Sequence, residues 1–152
     1  MKLSNNEKEE IILSAVMHDI GKSMVDINIL SKKDKLTNEE WNQIKLHSIH
    51  GARIAMMMGY SSDIVKNILY HHENSNGTGY PKGIKEENIP LGAAVIRICD
   101  SYDAMRSIRS YKIPMSHEMA MDELIKEKGI YRENLVKEFL NINFRLYEKY
   151  YK

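Results

Sequence analysis

Ile64-Val65-Lys66-Asn67-Ile68-Leu69-Tyr70-His71-His72-Glu73-Asn74-Ser75-Asn76-Gly77-Thr78-Gly79-Tyr80-Pro81-Lys82-Gly83 is the stretch from which the rest of the sequence can be read. Ile64, Val65, Ile68 and Leu69 recur at helical spacing, and Ser61 or Ser62 just before them supplies an N-cap. The helix so predicted ends in two adjacent imidazoles. They open directly onto a loop of Gly, Asn, Ser and Pro. A helix end that turns ligand-type side chains toward a polar, glycine-rich loop can hold a metal and a substrate side by side.

Helical periodicity extends outward in both directions, with no convincing run of strand-type alternation. Upstream, a first helix is expected from about Asn6 to Asp19, burying Ile11, Ile12, Ala15 and Val16. Lys22 to Leu36 reads as a loop with one helical turn around Ile27 to Leu30. Thr37-Asn38-Glu39-Glu40 is a capping box. It starts a second helix carrying Trp41, Ile44, Ile49, Ala52 and Ala55, which Gly59 closes. Downstream, Pro90 suits the first turn of a helix running to about Arg106. Ser116 caps another that ends at Gly129, and a last helix runs from about Glu133 to the C-terminus. The expected architecture is all-α, a bundle of about six helices in a single domain over residues 1–152.

Each apolar stripe leads to a metal-ligand type of residue. Ile11, Ala15 and His18 share a line that Lys22 continues, and Ile12, Val16 and Asp19 form its neighbour. Ile44, His47, Gly51 and Ile54 share another; Ile64 and Ile68 precede His71 and His72; Ala93 and Ile96 precede Asp100 and Asp103. Unpaired polar groups on core-facing lines cost several kcal/mol each, in order of magnitude roughly 2–7. Six converging groups are best satisfied by shared metal ions. The ligand set is therefore His18, Asp19, His47, His71, His72 and Asp100. Asp19 has two oxygens and can bridge two cations. Imidazole and carboxylate without thiolate favour two divalent ions, iron or manganese first, with magnesium, nickel or zinc as alternatives. Such a pair polarises a phosphodiester and generates hydroxide from water at neutral pH. Lys22, one turn past His18, can meet a phosphate oxygen, so catalytic roles fall to Asp19 and Lys22.

The remaining residues read differently. His50 and His117 are expected at the surface, and Cys99 as a packed core thiol. The ten methionines, Met56, Met57 and Met58 among them, read mostly as core filling. Tyr147, Tyr150 and Tyr151 read as packing or contact surface. Lys plus Arg number 22 against 21 Asp plus Glu, a net charge of +1, which excludes bulk nucleic-acid binding through a broad basic field. A lone cysteine excludes an internal disulfide framework and fits a reducing, cytoplasmic setting. The polar N-terminus lacks a signal-peptide apolar region, and Ile89 to Ile96 is far shorter than the roughly 20 residues a membrane span needs.

These residues together resemble the HD-GYP family, a branch of the HD-domain metal-dependent phosphohydrolases, from about Glu10 to Leu140. The resemblance rests on His18-Asp19-Ile20-Gly21-Lys22, Leu36-Thr37-x-Glu39-Glu40-Trp41, His47-x-x-x-Gly51 and His71-His72-Glu73. It continues through Gly77-x-Gly79-Tyr80-Pro81-x-Gly83, Ile89-Pro90, Asp100-x-x-Asp103-Ala104 and Arg109-x-Tyr111-Lys112. It implies a helical fold, a bi- or trinuclear metal centre on the six residues above, and hydrolysis of cyclic di-GMP to pGpG or GMP. It implies that Lys22, Tyr80, Arg109 and Lys112 hold phosphates or bases, with Gly79 and Pro81 shaping the loop and Asp103 near the centre. Cyclic GMP-AMP is the alternative substrate, and a non-catalytic module binding a nucleotide or a protein is the alternative role. Three departures stand out. Asn76 replaces Asp before Gly77, and Tyr131-Arg132-Glu133 replaces Phe-Asp-Pro. The helix that family members usually carry upstream of the His-Asp pair, with a further ligand, is expected to be missing. Apolar surface on the first helix should then be uncovered, for a second copy or a partner chain to cover.

Overall fold

The computed structural model describes residues 2–108, 113–142 and 144. Among these the elements are helices, apart from one isolated bridge between Asn76 and Lys85: α1 (Asn5–Met17), a 3-10 turn (Ile20–Met24), α2 (Ile27–Leu30), α3 (Asn38–Lys45), α4 (His47–Met57), α5 (Ser62–Tyr70), a second 3-10 turn (Glu86–Asn88), α6 (Leu91–Arg106), α7 (His117–Lys126) and α8 (Glu133–Leu140). The element boundaries follow cap chemistry. Ser4 with Glu7 and Thr37 with Glu40 form complete capping boxes on α1 and α3, while Ser61 and Ser116 cap α5 and α7. Gly59 adopts φ +79 just past α4, where a side chain would be strained. The predicted single turn at Ile27–Leu30 is present.

Two apolar clusters hold the bundle. One gathers Ala55, Ile64 and Ile68, with Leu13 and Met17 of α1, Val65 of α5 and Tyr60 from the link between α4 and α5 packed against it. The other is larger and draws on α6, α7 and α8, with Ile89, Ala93, Ile98, Tyr102, Leu124, Leu135 and Phe139 among its members. Between α1, α5 and α6 lies a polar clamp. Asn67 Oδ1 accepts the Ala93 N–H at 3.1 Å and its Nδ2 donates to Ser14 Oγ at 3.2 Å. Ser14 in turn donates to the Glu10 carbonyl at 2.6 Å, so each buried polar atom named has a partner. Gly92 has no room for a Cβ because Asn67 packs there.

Several sequence expectations are corrected. The buried residue of α1 is Ser14, whereas Ile12 and Val16 are 63% and 79% exposed. The predicted second helix is two. His47 Nδ1 donates to the Ile44 carbonyl at 2.7 Å and Ser48 Oγ to the Lys45 carbonyl at 3.2 Å. Side chains thus take carbonyls that the helix ladder would otherwise use, and the helix breaks at Leu46. Met56, Met57 and Met58 are exposed, as is Cys99. His117 is half-buried, with its Nδ1 2.8 Å from the Tyr102 hydroxyl and its ring against Phe144. His50 is likewise half-buried. The last two helices end earlier than expected, at Lys126 and at Leu140. Tyr147, Tyr150 and Tyr151 lie outside the described residues. No helix among the described residues is long and apolar enough to cross a membrane.

Candidate metal centre

The His-Asp segment is pinned against the start of α4. Gly21 is buried, and a Cβ there would overlap the His47 carbonyl and the Gly51 amide. Glycine at 21 and 51 therefore lets the turn after α1 approach α4 at backbone contact distance. This brings His18 and Asp19 to His47. Helix α5 delivers the histidine pair from the third side, and α6 delivers Asp100 from the fourth.

Three of the imidazoles are oriented by the same device. His18 Nδ1 lies 2.7 Å from the Ala15 carbonyl, His47 Nδ1 2.7 Å from that of Ile44, and His71 Nδ1 2.7 Å from that of Ile68. A carbonyl only accepts, so each Nδ1 carries the proton, and on the neutral rings of His47 and His71 this leaves a bare Nε2 lone pair. The consequence is most acute for His47 and His71, which are 1% and 0% exposed. Their Nε2 atoms face each other at 3.2 Å. Two lone pairs at that distance repel unless a cation or proton joins them. Asp19 Oδ1, 3.4 Å from His47 Nε2, is buried with no hydrogen-bond donor. A buried carboxylate oxygen beside two inward lone pairs is the donor set of a cation site. Donor atoms of Asp19, His47, His71 and His72 lie within 4.8 Å of one another. His18 and Asp100 flank them: His18 Nε2 is 3.4 Å from Asp19 Oδ2 and 3.8 Å from Asp100 Oδ1. The cluster can hold a metal ion.

Electrostatics follow the geometry. Burial pushes His71 down to about 3 and also lowers His72 and His47, so these rings are neutral and ligand-competent. Burial works against protonated His18 as well, but Asp19, the Ala15 carbonyl and Asp100 together carry it above its ordinary value. Asp19 is desolvated too, yet His18 and Lys22 hold it far below the usual carboxylate range. Lys22 Nζ donates to Asp19 Oδ2 at 2.5 Å.

The glycine-rich loop folds back over the histidine pair. Glu73, 2% exposed, accepts the backbone N–H groups of Lys82, Gly83 and Ile84 at 2.7, 3.1 and 3.1 Å. Gly79 sits against the backbone of His72, Glu73 and Asn74 with no room for a Cβ. The Tyr80 N–H reaches the His72 carbonyl at 3.1 Å, and the Tyr80 ring stacks on that of His72 at 4.7 Å and 28°. Burial pushes the Tyr80 phenol well up, so it stays a hydroxyl. Asn76 Oδ1 accepts from the Thr78 N–H and hydroxyl at 3.0 and 2.7 Å. The acceptor that aspartate would offer there is thus retained.

The six expected ligand residues therefore meet at one place, with Lys22 and Tyr80 beside them and Gly79 and Pro81 flanking Tyr80 in the loop. Asp103 is exposed one turn further along α6, its carboxylate accepting from Ser107 Oγ at 3.1 Å. Arg109 and Lys112 lie outside the described residues. The sequence reading gave no role to Glu73, although a carboxylate directly before a loop rich in free N–H groups is a detectable signal. It also passed over Arg97, which donates to Asn74 Oδ1 from Nε and Nη2 at 3.2 Å each and to Ser101 Oγ at 2.8 Å. That arginine ties the start of the loop to α6.

The HD domain family model matches residues 1–134. The chain is 36% identical over 147 residues to a cyclic di-GMP phosphodiesterase of Thermotoga maritima, covering 93% of this chain and 39% of that protein. It is 32% identical over 143 residues to the 3'3'-cGAMP-specific phosphodiesterase 2 of Vibrio cholerae, covering 91% of this chain and 27% of that protein. Among solved structures, a cyclic GMP-AMP specific phosphodiesterase of V. cholerae superposes with TM-score 0.69 at 18% identity, over 90% of this chain and 38% of that one. An HDG"Y"P protein from Bdellovibrio bacteriovorus also gives 0.69, at 23% identity, over 88% and 43%. The two structures share the fold. The chain spans well under half the length of each of these proteins.

Proposed function

This chain belongs to the HD domain family, and from that membership we propose that it is a metal-dependent phosphodiesterase that opens cyclic di-GMP to pGpG or GMP. The observation that carries the reading is the pair of Nε2 lone pairs of His47 and His71, 3.2 Å apart beside the orphaned Asp19 Oδ1. His18, Asp19, His47, His71, His72 and Asp100 would hold two divalent ions, iron or manganese by the donor set, with magnesium, nickel or zinc as alternatives. Such ions polarise a phosphodiester and lower the pKa of a water molecule into the neutral range.

The chain's own groups do the rest. Asp19 turns one oxygen toward His47 and the other toward His18, the arrangement a bridging carboxylate needs. Lys22 rests on Asp19 and has a flexible stem, so its ammonium can exchange that partner for a phosphate oxygen. Tyr80 keeps its proton and can donate to the substrate from above His72. Gly79 fixes where Tyr80 sits, since any side chain there would displace the loop. Arg109 and Lys112 would complete the contacts to phosphates or bases.

Purified chain supplied with Mn²⁺ or Fe²⁺ should hydrolyse cyclic di-GMP, and Asp19→Ala should lose more than about a hundredfold, since even outer partners of metal ligands are worth roughly 10–100-fold. Wild-type protein that shows no metal-dependent turnover overturns the reading. A second substrate, cyclic GMP-AMP, belongs in the same assay, because relatives of both names match this chain. The exposed Ile12 and Val16 on α1 favour a second reading, a module that binds a nucleotide or a partner chain through that face. Tight nucleotide binding without turnover would select it.

A further inference from the structure

The rings around the centre form a series leading outward. His71 is fully buried; His72 lies against it at 4.0 Å; Tyr80 stacks on His72 at 4.7 Å; and Trp41 meets Tyr80 edge-on at 6.5 Å and 79°. Trp41 is 44% exposed and belongs to neither apolar cluster. An indole that packs into no core, yet touches the outermost aromatic of a candidate site, has little structural reason to be there. Lys45, one turn along α3, places its ammonium 5.9 Å from the indole centroid. The ammonium stands over the ring, and the exposed remainder of the indole is a planar surface on which a purine can stack.

We propose that Trp41 is a stacking platform for a nucleobase of the substrate, forming with Tyr80 the outer wall of the site. The inference rests on the phosphodiesterase reading for the identity of the ligand, not for the existence of the platform. A phosphate held near Asp19 and Lys22 has its own base one ribose away, and Trp41 is joined to that cluster through Tyr80 and His72. The edge-on angle between Tyr80 and Trp41 makes a corner, so a base lying on the indole would have the tyrosine at its side.

The test uses the fact that Trp41 is the only tryptophan of the chain. Cyclic di-GMP added to the purified, Mn²⁺-loaded protein should change its intrinsic fluorescence, and inorganic phosphate should not. In turnover assays, Trp41→Ala should lower kcat/KM for cyclic di-GMP by roughly tenfold, within the range of base–aromatic stacking. Inorganic phosphate, which carries no ring, should inhibit the wild type and Trp41→Ala with inhibition constants within about twofold of each other, and Trp41→Phe should recover most of the loss on cyclic di-GMP. Metal content of each variant reports whether the centre has formed. An unchanged kcat/KM, or an equal weakening of phosphate inhibition, overturns the platform and leaves the phosphodiesterase reading standing. If the wild type does not hydrolyse cyclic di-GMP, that reading fails, and fluorescence decides the platform alone: a response to cyclic di-GMP but not to phosphate supports it, and no response overturns it.

Discussion

The apolar clusters on either side of the histidine site are built from different materials. The α6–α8 cluster is large and aromatic, with Tyr102, Phe139 and Phe144 in mutual ring contact. The α1–α4–α5 cluster has three buried hydrophobics, Ala55, Ile64 and Ile68, and is continued inward by His47, His71, Ser14, Ser48 and Asn67. Five of the six candidate ligands come from this polar side; only Asp100 comes from α6. Where one lobe gains stability from apolar area, the other has given interior volume to a cluster that could hold a cation. Its packing and its chemistry are therefore the same side chains.

That contrast is tested hardest by removing equal amounts of core from each side. Ile68 is fully buried and its carbonyl orients His71; Leu124, 2% exposed, lies in the larger cluster. Either change to Ala should cost about 2–5 kcal/mol in urea unfolding of the whole chain. Only Ile68→Ala should also weaken metal affinity, read by competition with a chelating dye, because the Ile68 carbonyl that orients His71 would shift as the cavity relaxes. Similar metal loss from Leu124→Ala would mean that the two sides are one cooperative unit and the distinction is empty.

A smaller effect comes from pH. The folded pKa of His71 lies near 3, below its ordinary 6.5, and burial is the cause. The unfolded chain binds that proton first, so the stability His71 contributes is present above pH 6.5 and is lost as pH falls from there toward 3. His72 and His47 have the same sign, and His18, whose value is raised, opposes them in part. Metal-free protein should therefore unfold at lower urea at pH 5 than at pH 7.5, with about 2 kcal/mol from His71 alone. The same titration with metal bound should fall more steeply, since protons then also compete for the ligands. A metal-free midpoint that is flat or rises toward pH 5 contradicts the neutral histidine interior.

The sequence was legible where chemistry is local. Thr37 with Glu40, Ser61, Ser116 and Gly59 mark element ends through bonds to backbone groups a few residues away. The turn at Ile27–Leu30 is of the same kind. The convergence of His18, Asp19, His47, His71, His72 and Asp100 was legible because polar groups at the ends of apolar stripes have few satisfactory environments. What local pattern could not give was which stripe a helix buries. On α1 the lines through Ile11 and Ile12 look equally apolar, and the deciding partner, Asn67 bonded to Ser14, sits 53 residues away. The break at Leu46 depends on His47 and Ser48 capturing carbonyls, which periodicity does not encode. Trp41 and Arg97 gained meaning only once Tyr80 and Asn74 were beside them.

The smallest expected effect is at the edge of the polar lobe. Val16 is 79% exposed on α1, so Val16→Lys removes little buried area and should change unfolding free energy by no more than about 0.5 kcal/mol. Val16 lies one turn before Asp19 on the same line, so metal content is measured alongside to show that the site is intact. The informative quantity is the mass in solution. If a second copy covers this face, a lysine at its middle buries an unpaired ammonium in the interface, and the assembly should fall to single chains. Unchanged mass together with unchanged stability means that α1 presents a free apolar surface. A loss well beyond 0.5 kcal/mol without any change in mass would instead show that Val16 is packed within the chain, and the polar lobe would then hold more apolar contact than its present inventory allows.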